Sequence, residues 1–87
     1  MDDRRFGAEI MEVPDEVLVR LTGDLNARAD ETLANAYAQV AALGPRRVSL
    51  DFGQVGYINS TGIALVVRLL ADARAYYDLA VTMHQVA

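Results

Sequence analysis

Residues 57–70, YINSTGIALVVRLL, place three small polar residues and a glycine between a strand-like approach and an apolar run. A helix start needs one capping side chain. Asn59, Ser60 and Thr61 together exceed that need, in a chain whose only other serine is Ser49. The apolar run predicts a helix over about 61–76. Its expected core stripe is Ile63, Val66, Val67, Leu70 and Ala73, with Leu65 and Leu69 on another flank.

Upstream, RRVSLDF (46–52) alternates as a strand, with Val48, Leu50 and Phe52 on one side. GQVGY (53–57) reads as a connection into the polar cluster. Further back, Asn26 is a plausible cap for a helix over about 27–43, where Leu33, Ala36, Tyr37, Val40 and Leu43 recur at steps of three and four. Gly44-Pro45 stops that helix. AEIMEV and EVLVRLTG read as two strands joined by the turn pair Pro14-Asp15, with Val17, Val19 and Leu21 on one face. Downstream, Leu79, Val81 and Met83 alternate with Ala80, Thr82 and His84 in a final strand. The order is β-β-α-β-α-β, an α/β domain.

Strand–helix–strand crossovers give parallel neighbours, and the first hairpin is antiparallel. The expected fold is a mixed four-stranded sheet with both helices on one face, in a single domain over 1–87 with a frayed start at 1–7. The other sheet face has no visible cover, which makes self-association or domain swapping a reasonable expectation.

Composition narrows the functional classes. The 87 residues are 53% hydrophobic and carry a net charge of −4. No apolar run approaches the roughly 18 residues that cross a bilayer, and the N-terminus lacks a signal-peptide core; a cytoplasmic protein without membrane insertion is expected. There is no cysteine, so no disulfide or thiolate metal site. All eight basic residues are arginine, which leaves no catalytic or phosphate-binding lysine. The scattered arginines do not make a nucleic-acid footprint. The lone His84 reads as a surface or interface residue, and Tyr76 and Tyr77 as covers for the bottom of the core. An enzyme is not expected, nor a bound cofactor.

The bland account of the polar cluster is that Asn59 or Ser60 caps the helix and Gly62 allows close packing. The functional account uses the same geometry. A hydroxyl in the first turn sits near unpaired amides and the positive end of the helix dipole. Phosphorylation there adds about −1.5 to −2 charges at an exposed junction, enough to reorder a contact.

Three segments in order resemble one family. LVRLTGDLN (18–26) is similar to the second strand and L-x-G-[ED]-L-[DN] turn of anti-sigma-factor antagonists of the STAS superfamily. RRVSLDFGQVGYINSTG (46–62) is similar to their third strand, V-x-[FY]-[IM] connection and D-S-[ST]-G phosphorylation motif. IALVVRLLADARA (63–75) is similar to the helix that follows. The resemblance implies a STAS-like fold over residues 8–87 and a phosphate acceptor just before the glycine: Thr61, with Ser60 as runner-up. It implies as partner an anti-sigma factor that is itself a serine/threonine kinase, consuming ATP, and that lets go of the phosphorylated antagonist. The implied contact surface comprises Asp24, Leu25 and Asn26 with Asn59, Ser60, Thr61 and Gly62, and Leu65 is a further apolar candidate. The chain departs from the family pattern in three places. Asn59 stands where the motif has aspartate, Tyr76-Tyr77 replaces a glycine pair, and the sequence stops where members usually continue into a third helix, as expected of a truncated form or of a domain that another chain completes. The alternative is an unphosphorylated scaffold or an accessory subunit of a signalling or transport complex.

Overall fold

A computed structural model describes residues 5–82. β1 (Gly7–Val13) and β2 (Glu16–Leu25) form an antiparallel hairpin in which Val13 pairs with Glu16. Pro14 presets φ for the turn and Asp15 takes φ 64°, a left-handed value that aspartate tolerates better than most residues. A 3-10 turn (Ala27–Ala29) runs into α1 (Asp30–Leu43); β3 (Arg47–Ile58), α2 (Ser60–Ala73) and β4 (Asp78–Thr82) follow. The sheet order is β1-β2-β3-β4, with β2, β3 and β4 mutually parallel.

Alternation along the strands decides which side is covered. Val17, Val19 and Leu21 on β2 and Val48, Leu50 and Phe52 on β3 are buried, together with Leu33, Ala36 and Val40 of α1 and Val66 of α2. Both helices therefore lie on this one face, as expected. α1 ends where Gly44 adopts φ 62° and its amide donates to the Val40 carbonyl, a left-handed cap that glycine forms without a Cβ penalty.

Several boundaries differ from expectation, each for a local reason. GQVGY is not a connection: β3 continues to Ile58 because the tail of β2 offers backbone partners, pairing Thr22 with Gln54 and Leu25 with Ile58. Such pairing overrides the low strand propensity of its glycines. Asn26 caps the 3-10 turn rather than α1 directly, its Oδ1 accepting from the Arg28 amide. The expected frayed start extends too far inward, since Phe6 packs against the core and Gly7 opens β1. Residues 1–4, Met83 and His84, and the readings placed on them, lie outside the described residues.

The α2 stripe is rotated from its expected position. Gly62, Val66 and Ala73 face the sheet with Leu65, Leu69 and Leu70 packed beside them, whereas Ile63 is 49% and Val67 57% exposed. Tyr77 packs on the core edge-to-face with Tyr37, but Tyr76 points away and is 74% exposed.

The uncovered sheet face is not an apolar vacancy. Arg20 lies 3.8 Å from both Glu9 and Asp51 across three strands, Arg47 pairs with Asp78 at 3.1 Å, and Ser49 donates to Glu16. Charged and polar pairs thus alternate on this face with the apolar Met11, Val13 and Leu18.

Candidate functional site

The two stretches singled out in the sequence meet at the carboxyl ends of β2 and β3. Leu25 pairs with Ile58, and the Asn59 amide donates to the Leu25 carbonyl at 3.2 Å. The chain then turns at once into α2. Gly62 must come so close to β2 that a Cβ would lie 2.1 Å from the Leu25 carbonyl oxygen. No other residue fits there. That single approach sets the rotation of α2: with Gly62 against the sheet, Val66, Leu69 and Ala73 follow inward at helical steps, and Ile63 and Val67 turn out.

Asn59 is the cap. Its backbone is extended and its Oδ1 accepts from the Gly62 amide at 2.8 Å, while its carbonyl takes the Ile63 amide at 2.9 Å. The cap is a neutral amide and the first turn carries no acid, so the helix supplies no side-chain charge of its own to offset the positive end of its dipole. Ser60 and Thr61 are exposed. Their hydroxyls are spared the capping task, and the amides of these first helical residues are ones that a helix cannot satisfy internally.

The remaining candidates sort by depth. Asp24 and Asn26 are partly exposed beside the α2 start. Leu25 is 0% exposed and Gly62 is buried, so neither presents a side chain to another molecule; they support the surface from beneath. Leu65 is half-buried, packed against the core at the edge of a groove shared with Leu33, Tyr37, Arg68 and Leu69. The more exposed apolar residues near the site are Tyr57, Ile58, Ile63 and Val67. The stripe assignment missed Ile63 and Val67. The signal was available in Gly62, since a glycine required to touch the sheet dictates which helical positions follow it.

Between the helices, burial first and then the neighbouring Asp72 carboxylate raise the pKa of the Tyr37 hydroxyl above its ordinary value. Among the described residues, no group of three His, Asp or Glu side chains is placed to hold a metal, and no helix is long and apolar enough to cross a membrane.

A family model described as "Mlab, STAS domain" matches residues 9–86. Among solved structures, an anti-sigma factor antagonist from Mycobacterium paratuberculosis is similar at a TM-score of 0.79 and 15% identity, over 93% of this chain and 69% of that one. The antisigma-factor antagonist STAS domain from Rhodobacter sphaeroides superposes at 0.70 with 19% identity, over 90% of this chain and 84% of that one. The Bacillus cell fate determinant SpoIIAA in its phosphorylated form does so at 0.66 with 20% identity, over 94% and 74%. At these identities the structural likenesses establish the fold.

Proposed function

The chain belongs to the STAS family, of the kind described as "Mlab, STAS domain", and from that premise we propose that it is a phosphorylation-controlled binding module, an anti-sigma-factor antagonist. Unmodified, it binds an anti-sigma factor through the start of α2 and through Asp24 and Asn26 at the neighbouring end of β2, with Leu25 beneath them. That partner is a serine/threonine kinase that uses ATP to phosphorylate Thr61, after which the complex dissociates. The antagonist does no chemistry itself. It acts in the cytoplasm and alters transcription indirectly, by deciding whether the partner is free to hold a sigma factor.

The observation that carries this reading is the division of labour at the helix start. Asn59 caps, which leaves an exposed Thr61 hydroxyl in a first turn without negative charge. A phosphate gains there from the helix dipole and open amides, so the modified state is stable. Its added negative charge and bulk then occupy the surface a partner must touch. The test is titration calorimetry with the partner kinase. Thr61→Glu is expected to weaken binding by about tenfold or more, a loss of ~1.4 kcal/mol, whereas Thr61→Ser binds as wild type. Equal affinity for Thr61→Glu and wild type would remove the proposal.

Asn59 favours a second reading. The phosphorylation motif that the chain resembles has aspartate at this position, and an amide changes what a kinase meets beside the hydroxyl. On this reading the same surface holds a permanent partner, as a scaffold or accessory subunit of a signalling or transport complex. Stable co-purification with a partner, and no incorporation of labelled phosphate from extract and ATP, would favour it.

A further inference from the structure

The outward side of α2 is apolar along its length. Ile63, Ala64, Val67 and Ala71 are exposed, and Leu70 is half-buried beside them. Their spacing, with Ser60 and Arg74 at the two ends, is the three-and-four step of a helix–helix seam. No described element of the chain lies over it. We propose that a second copy of this chain covers it, in a two-fold dimer whose helix layers pack face to face, α2 of each copy lying along α1 of the other. Ser60 closes this seam at the end where the partner is proposed to bind, so the dimer is proposed for the chain without that partner, and its test reads self-association alone.

What identifies the occupant is the outward side of α1. It has the same spacing but the opposite size: Glu31, Ala34, Asn35, Ala38, Ala41 and Ala42 are all exposed. α1 and α2 each cross between parallel strands of one sheet, so they run in the same direction. A two-fold axis parallel to the helices, between two such layers, sets α2 over the partner copy's α1 in the same direction, and repeats the contact on the other side. In that register Ile63 meets Ala34, Val67 meets Ala38 and Leu70 meets Ala41, large side chain on small in each case.

Charge agrees with shape. Glu31 falls at the start of the opposing α2, whose first turn carries no acid of its own, and so faces the positive end of that dipole. Arg74 falls at the carbonyl end of the opposing α1, which has no basic residue in its last turn. Each helix thus receives from the other copy the charge its own end lacks. Pairing α2 with α2 instead would set Arg74 against a second Arg74 or against a positive helix start. Two helices of 14 residues, each about 21 Å long, present roughly 400 Å² in projection, which places the contact among smaller interfaces that dilution can dissociate.

Sedimentation equilibrium across a dilution series tests this. Wild type is expected to be a dimer. Val67→Arg and Ala38→Glu are each expected to weaken dimerisation by about tenfold or more. An equimolar mixture of the two is expected to recover dimer, because in the mixed pair one contact sets the introduced guanidinium against the introduced carboxylate and the other stays native. Leu18→Arg, on the charged sheet face, leaves the dimer intact. Circular dichroism checks folding, and Ile63→Arg replaces Val67→Arg should that variant not fold. A monomeric wild type, a dimer indifferent to Val67→Arg or Ile63→Arg, no recovery on mixing, or a dimer broken by Leu18→Arg would each overturn the proposal.

Discussion

Gly62 is where the two halves of the site are joined, and it is there for space. A methyl group 2.1 Å from the Leu25 carbonyl cannot be absorbed by a flexible side chain, because the obstacle is backbone. Gly62→Ala is therefore expected to destabilise the fold by about 3 kcal/mol or more, the upper range for overpacking, read as a lower urea midpoint. Asn59 makes a milder contribution. Asn59→Ala removes the bond to the Gly62 amide and should cost about 1 kcal/mol. Asn59→Asp keeps the cap and adds a charge facing the helix dipole, so it should stabilise by about 0.3–1 kcal/mol. Thermal or urea unfolding of the pair separates capping from charge. A destabilised Asn59→Asp would show that the dipole is compensated by something other than this residue.

At the scale of elements, the order of strands and helices was legible because period-two and period-three-to-four patterns are interrupted at clear punctuation: Pro14-Asp15, Asn26 and Gly44-Pro45. What could not be read locally was decided by contacts distant in sequence. β3 gains its last residues from the tail of β2, and α2 takes its rotation from the touch of Gly62 on Leu25. The motif itself was legible, so the placement of Thr61 at an exposed helix start follows expectation, while the burial of Leu25 does not show in a motif. Tyr37, between the helices, gives this scale its own prediction. The folded state holds the phenol proton above the ordinary value of 10.0, so the unfolded chain releases it first. The resulting stability is fully present below about pH 10 and declines as pH rises through the raised folded value. Thermal melts between about pH 9 and 11 should show that decline in wild type and a shallower one in Tyr37→Phe. Identical slopes would mean that the hydroxyl is no more sheltered in the fold than out of it.

For the whole molecule, the two sides of the sheet divide the work. One carries the core and presents the helix start; the other carries charged pairs, among them Arg20 at 3.8 Å from both Glu9 and Asp51, with the Arg20 and Glu9 side chains open to solvent. Such pairs contribute little, so Arg20→Ala should cost no more than about 1 kcal/mol, with the difference shrinking in added salt. Function on this account depends on the hydroxyl at the rim of the helical side. The most direct measurement is to incubate wild type and Thr61→Ala with the partner kinase and ATP, and to locate any added phosphate by mass spectrometry. The account predicts one phosphoryl group on wild type, at Thr61, and none on the variant. Equal labelling of both proteins, or phosphate at Ser60 alone, would contradict it.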